Sequence, residues 1–496
     1  MAFGEKMTAY ERQRLENIRR NTQMMASLNV HDRLSDLATS SKRLREKKSY
    51  KQSSEKKKKS EEPVVIRRSL RSQGIPPDSK GLPMDSNESL VNPSKKTIKL
   101  LYTSSPDLAV AGPVSMKDAY CLEEGSYRAV VDKFTNITNS QSDDVGKNKT
   151  KCVANGVPMP SSKVERVNLE EPLDMNSLNL ESENIARVVP GEIYCVRFIP
   201  TTDMTMVVAG SKYGHLAFWD VKPEKEDEDV IHLYRPHASL ISGIYVHPFS
   251  LSKVYTSSYD GFVRFMDIER EEFNLAYSSS SDSELYSLSL QPNDADSIYI
   301  GDGRGYLNVV DGRVGELTNS WSLHDWRINT IDFNPANPNI MVTSSSDGLA
   351  CLWDLRKMDV KHSEPISLQS FVHKRAVHSA YFSPSGSSVA TTSMDGNIGV
   401  ICGINFEDKF MIPHAIRTNQ WVSTFRASWG WEDTHLFIGN MKRKVDVVSV
   451  NQRKAVHTLE SPLMTAIPCR YDAHPYTVGL LAGATSGGQI YIWTAS

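Results

Sequence analysis

The sequence predicts an all-β fold: seven small sheets closed into a β-propeller, preceded by a long basic extension. Three observations predict it. The first is the stretch 328–356, which reads as three strands. Ile328, Ile331 and Phe333 precede a Pro-Asn turn, Ile340 and Val342 precede the tight turn Ser346-Asp347-Gly348, and Leu349, Cys351 and Trp353 follow it. Alternating apolar runs broken by Gly, Asn and Pro mark antiparallel strands joined by hairpins. The second is that this syntax occurs seven times along the chain. The third is its spacing. The aligned positions Trp219, Met266, Val310, Trp353, Ile401, Val448 and Trp493 lie 43 to 48 residues apart, the period of a four-stranded propeller blade around a channel.

The copies fall at 193–221, 242–269, 285–313, 328–356, 377–404, 426–450 and 466–495. This is the syntax of the WD repeat, in which Trp-Asp ends the third strand and a fourth follows. Trp493 lies three residues before Ser496, so the last blade lacks an outer strand of its own. An open sheet edge is a liability. The segment Ile185 to Val189 is the spare strand nearby, and it is expected to pair with the last blade and close the ring.

Ahead of the ring the charge changes sign. Residues 1–80 carry 20 Lys and Arg against 10 Asp and Glu, residues 81–184 carry 11 against 15, and residues 185–496 carry 26 against 34. A basic tail on an acidic ring points to an anionic partner for the tail. The expected organisation is a basic extension (1–80), a largely disordered linker (81–184) and the propeller (185–496). Residues 8–30 read as a short helix, started by a Thr8-x-x-Glu11 capping box. Leu15, Ile18 and Met25 fall on one stripe among arginines. Such a helix either needs a partner or nucleic acid, or is simply a solvated charged helix. Two basic clusters between 42 and 59, Lys42 and Arg43 in the first and Lys56, Lys57, Lys58 and Lys59 in the second, suit the acidic grooves of an import receptor, or phosphates. The alternative is a solvated linker. Residues 81–184 are rich in Ser, Asn and Pro, with candidates for local order at 99–102 and 127–134.

The chemistry classes narrow quickly. Six scattered cysteines (Cys121, Cys152, Cys195, Cys351, Cys402, Cys469) with no C-x-x-C read as reduced intracellular usage, with no disulfide framework or zinc site. No apolar run approaches a membrane span, and there is no signal-peptide core. His237, His324, His373 and His457 stand before a blade's first strand, where the repeat uses a histidine to hold the turn aspartate. His324, Asp347 and Trp353, with Thr343 or Ser345, are the best example, and the set is structural rather than a catalytic triad. Gly301 and Gly303 lie in a hairpin turn, not before a helix, so they are no dinucleotide motif. No catalytic residue, metal or cofactor is expected, and the chain is not expected to be an enzyme.

The loops carry more information. The loop into a first strand and the turn between second and third strands share one rim. That set holds Lys212, Arg304, Trp326, Arg327, Lys374, Arg375, Gln420, Trp421, Lys442, Arg443 and Lys444. The other rim holds residues 224–229 (EKEDED), Glu269, Glu271, Glu272, Asp294, Asp296, Glu432 and Asp433. Cations for a phosphate backbone beside aromatic planes suit nucleic acid. Propeller rims also dock peptides, so a protein-docking face is the alternative.

Four motifs then carry a family resemblance: YERQRLENIRRN at 10–21, Arg-Arg-Ser-Leu-Arg at 67–71, His324-Asp325-Trp326-Arg327, and Gly439-Asn440-Met441-Lys442-Arg443. Together they resemble the WD-repeat protein 76/Cmr1 family, related to the small subunit of the UV-damaged-DNA-binding complex. The resemblance implies a nuclear, chromatin-associated protein of the DNA damage response. It also implies a substrate receptor of a cullin-4 ubiquitin ligase, reached through the ligase's large damage-binding adaptor. The adaptor-binding Trp-Asp-x-Arg box is matched by Trp353, Asp354, Leu355 and Arg356, although Trp353-Asp354 is also part of the blade. Ile412-Pro413-His414-x-x-Arg417-x-x-Gln420 is similar to the hairpin that enters duplex DNA in the damage-binding subunit. Its tip here reads Asn419-Gln420-Trp421, with the aromatic displaced by two positions. The leading expectation is therefore a nuclear DNA- or chromatin-binding propeller. The alternative is a protein-only scaffold that binds histone or other peptides.

Overall fold

The computed structural model describes residues 19–20, 90–91, 97–100, 111–123, 125–144, 173–223, 230–247, 253–279, 283–358, 365–414 and 424–495. The chain forms two units, 1–82 and 83–496. In the first, only the helical pair Arg19 and Arg20 is described. The rest of the 8–30 helix and the basic clusters at Lys42, Arg43 and Lys56 to Lys59 lie outside the described residues.

The second unit holds seven antiparallel sheets. In chain order the blades are 193–234, 241–278, 285–322, 328–372, 377–413, 428–459 and 468–495. The fold is a seven-bladed β-propeller. Strands buried on both faces need apolar side chains on both, so second and third strands are near-continuous apolar runs. Met206–Ser211 and Leu216–Asp220 are buried at every position. The turn between them is tight because the loop of the next blade presses on it. Gly305 illustrates the constraint: its φ is +90°, and a Cβ there would lie 1.9 Å from the His324 carbonyl oxygen. Only glycine adopts that φ without strain and leaves that space.

Closure follows the sequence expectation and extends it. The strand Leu178–Arg187 pairs with Gln489–Ala495, with Tyr491 opposite Ile185 and Ala495 opposite Leu178. The closing strand thus starts seven residues earlier than 185 and ends at Arg187. Val188 follows it, its amide donating to the Gly488 carbonyl at 3.0 Å, and Val189 is fully buried beyond the ladder. The ring is tied further by aspartates on first strands. The Asp472 carboxylate accepts from the Phe198 amide at 2.7 Å and Arg197 at 3.0 Å, across the junction of last and first blades. Asp332 accepts from the Phe382 amide at 2.7 Å between the fourth and fifth.

Residues 81–184 are not all linker. Leu90–Val91 adds to the edge of the closing strand, and Val114–Ser115 adds a fifth strand to the second blade. The short helix Met116–Ala119 and the helix Arg128–Asp144 follow. Val130, Val131, Phe134 and Ile137 are buried, a spacing that puts them on one helical face. Phe134 meets Phe218 edge-on at 6.2 Å. Lys133 pairs with Asp220 at 2.6 Å, and Arg128 and Tyr127 both bond Glu271. The segment 111–137 is therefore a clamp over the first two blades. It engages Asp220 at the end of the first blade's third strand and Glu271 of the acidic loops.

Candidate nucleic-acid interface

Each blade builds its rim from within. In the fourth blade, His324 Nδ1 lies 2.8 Å from Asp347 and its Nε2 lies 2.7 Å from Thr343 Oγ1. Trp353 Nε1 donates to the same Thr343 oxygen at 2.8 Å. Asp347 in turn accepts from the Leu349 amide at 2.8 Å and fixes the turn. Burial is the largest single influence on the Asp347 carboxyl and raises its pKa, but the bond and charge of His324, with the Leu349 amide and the Ser345 hydroxyl, together hold it below its usual value. The same tie recurs as His237–Asp260–Thr256 and His373–Asp395–Thr391. These imidazoles are fully enclosed, so the set holds the rim in shape. The sixth blade departs from the expectation. Its tie is His414 Nε2 to Asp446 at 3.0 Å, whereas His457 lies on the outer strand Lys454–Leu459. Spacing explains both: His237, His324 and His373 precede their first strands by four residues, His414 precedes Ser428–Trp429 by fourteen, and His457, expected to serve the seventh blade, stands eleven before Pro468–Ala473.

The sequence-predicted binding residues sit on this frame. Lys212, Arg304, Lys442 and Arg443 are exposed at turns between second and third strands. Trp326 is 65% exposed and Lys374 and Arg375 are exposed, all in loops that enter first strands. In antiparallel sheets these two sets share one end. The Gly305 turn, beside Arg304, packs on the His324 and Trp326 carbonyls, so Arg304 and Trp326 are neighbours. Arg327 stacks over the Tyr286 ring at 5.1 Å and donates to Ser346 at 2.9 Å. Lys444 is engaged by Glu460 and contributes less free charge than Lys442 and Arg443. Gln420 and Trp421, with the hairpin tip, lie outside the described residues.

The adaptor box is placed differently from the other set. Trp353 and Asp354 are buried, while the Arg356 side chain is 63% exposed in the turn Leu355–Lys357. The Arg356 fork already engages Asp354, with Nε and Nη2 both at 2.9 Å. A partner carboxylate would have to share it rather than meet a free guanidinium. Arg313 repeats this arrangement on Asp311. Among the described residues no cluster of three or more metal-ligating side chains occurs, and no helix is long and apolar enough to cross a membrane.

Sequence reasoning missed the axis of the ring. Tyr194, Tyr259, Tyr286, Arg327, Arg426, Arg470 and His378 line a cavity of about 470 Å³. The signal was present: Arg470 stands in the middle of a first strand, Pro468–Ala473, and is buried there. It went unread because single strands do not reveal which side chains meet on an axis.

Comparison with known proteins places this geometry. The WD domain, G-beta repeat model matches residues 315–354 and 366–401, in the third to fifth blades. The chain is 27% identical to WD repeat-containing protein 76 of Xenopus laevis over 98% of this chain and 80% of that protein. It is 28% identical to the protein of that name from Mus musculus, over 98% of this chain and 74% of the relative. It is 29% identical to the DNA damage-binding protein cmr1 of Neurospora crassa, over 65% of this chain and 68% of that protein. The match to the first two covers 98% of the chain and the match to cmr1 65% of it, so this WD-repeat propeller is similar to the WD-repeat protein 76/Cmr1 family.

Proposed function

We propose that this propeller binds DNA or chromatin in the nucleus, without catalysis, as part of the DNA damage response. One observation carries the reading: the exposed Trp326 indole stands among Arg304, Arg327, Lys374 and Arg375 on one rim. Cations there neutralise phosphates, and a free aromatic plane can stack on or wedge beside a base. Lys212, Lys442, Arg443 and Lys444 widen the charged arc, and Gln420 and Trp421 belong to the same loop set in the sequence. Glu284 and Asp325 also lie on this rim, so binding is to the backbone through an uneven field. The names of the similar proteins, which include DNA damage-binding protein cmr1, support the same reading.

The finer part of the proposal concerns the opposite rim. Arg356, beside Trp353 and Asp354, is exposed there for the large adaptor of a cullin-4 ligase, and the chain would act as its substrate receptor. Lys42, Arg43, Lys56, Lys57, Lys58 and Lys59 would be read by an import receptor. A gel-shift series tests the DNA part. Lys374→Glu, Arg375→Glu and Lys442→Glu together should weaken binding and lower the salt slope by about 0.9 per lost phosphate contact. Unchanged affinity and slope would show the rim to be misassigned. A pulldown in which Arg356→Ala retains full adaptor binding would remove the box.

A further inference from the structure

The ring is hollow, and its axis is cationic. Toward the basic rim it opens into the cavity of about 470 Å³, within the range of about 300–1,000 Å³ typical of ligand clefts. Below, it narrows to a space of about 50 Å³, room for a single small group. Arg426 and Arg470 line both levels. Arg470 is 4% exposed and spends its donors on the Tyr194 carbonyl at 2.9 Å, the Cys469 carbonyl at 3.1 Å, Thr424 Oγ1 at 2.8 Å and the Thr424 carbonyl. Arg426 is poorly served. It reaches Tyr381 Oη at 3.5 Å and the Asn329 carbonyl at 3.4 Å, and its Nε is buried with no hydrogen-bond partner. Neither arginine forms an ion pair among the described residues.

Burial, with a smaller contribution from the neighbouring cations, disfavours the charged forms of Arg470 itself and of His378. Burial, helped by Arg426, brings Arg470 down to about 10. Burial, with Arg426, Arg470 and Arg327 close by, brings His378 down to about 3. Among the described residues lining the cavity, Glu192 is the single carboxylate against Lys212, Arg327, Arg426 and Arg470. Enclosed cations that outnumber their counter-charge are costly, and a further anionic oxygen relieves that cost.

We infer that this axial cavity is a binding site for an anionic side chain of a peptide, a phosphoryl or carboxylate group that enters from the basic rim. A peptide fits better than duplex DNA. A duplex carries its phosphates on a broad convex surface that rides over a rim, whereas Arg470 lies recessed behind a narrowing funnel. A side chain several bonds long reaches it. The tyrosines supply flat walls with hydroxyls for the neighbouring peptide backbone. The same charge excludes Lys- and Arg-rich tails, which turns a peptide-binding role of this ring away from basic histone tails and toward acidic or phosphorylated segments.

The test uses the full chain and three fluorescein-labelled peptides, Gly-Gly-X-Gly-Gly with X as phosphoserine, glutamate or serine, read by fluorescence polarisation. The phosphoserine peptide should bind, the glutamate peptide more weakly, and the serine peptide not at all. Inorganic phosphate should displace the first, while chloride at equal ionic strength should not. Arg426→Gln should weaken binding by at least about tenfold, the loss of one charge-assisted hydrogen bond. DNA affinity should stay within about twofold, because Arg426 lies off the rim. Arg426→Lys, which keeps the charge, should fall between the two. Equal binding of phosphoserine and serine peptides, no binding of either, or an Arg426→Gln variant that binds as the parent does would each overturn the inference. So would a 5′-phosphorylated oligothymidine that outcompetes the peptide and loses its own binding with Arg426→Gln, since the site would then belong to nucleic acid.

Discussion

Thr343→Val tests whether the blade tie holds the ring together. Thr343 is fully buried and serves two partners at once. With Nδ1 donating to Asp347, the Nδ1–H tautomer leaves Nε2 to accept the Thr343 hydroxyl proton. The Thr343 oxygen is then free to accept from Trp353 Nε1. Valine keeps the branched shape and removes both bonds. Each buried polar group left unsatisfied costs about 1–3 kcal/mol, so two groups cost roughly 2–6 kcal/mol, with about 3 kcal/mol taken as the working expectation. For a domain of this size 1 kcal/mol moves the midpoint by about 2 °C, which gives a fall of about 6 °C. Thermal unfolding of the full chain by calorimetry or circular dichroism measures it. Ser320→Ala, which removes an exposed bond to Asn308 on an outer strand, is the control and should change stability by less than about 0.5 kcal/mol. A Thr343→Val midpoint within about 2 °C of the parent would refute the reasoning, since the orphaned groups would then have found other partners.

Two other outcomes follow from the packing. Burial raises the Asp332 pKa to about 6 despite the Phe382 amide and Arg197. A carboxyl raised in the fold contributes stability that is complete below its unfolded value, about 3.9, and is lost as pH rises through the folded value. Asp332→Asn keeps an acceptor for Phe382 and removes that dependence, so variant minus parent stability should rise between pH 4 and pH 7; a flat difference in denaturant titrations would count against a late-titrating Asp332. Phe134→Ala should release the clamp helix. Removing a fully buried Phe costs about 3–5 kcal/mol, and hydrogen exchange should speed up in 128–137 while blades three to six keep their protection. Uniform exchange across the ring would mean that the clamp is integral to global folding.

Much of the ring was legible in the sequence because its code is local. A blade is written in turn glycines, a two-residue alternation and a Trp-Asp ending, all within about 45 residues. Trp353, Asp347, His324 and Thr343 therefore declared their tie before any coordinates. His414 was missed because a long loop before Ser428–Trp429 lengthens the spacing that identifies the histidine, and His457 misled because it lies on an outer strand, eleven residues before the seventh blade's first strand. The clamp was partly visible as well. Val130, Val131, Phe134 and Ile137 form an apolar helical stripe, but its polar surroundings read as linker and nothing local names the blade edge it covers.

The sequence by itself determined the number of sheets, their strand order and the loops that carry charge, since each depends on neighbours a few residues apart. Only the tertiary structure decided that Tyr194, Arg327, Arg426 and Arg470 share one funnel, and that 111–137 lies over Asp220 and Glu271. Those contacts join residues from distant blades, and they exist because ring closure between Leu178–Arg187 and Gln489–Ala495 fixes every first strand around a common axis.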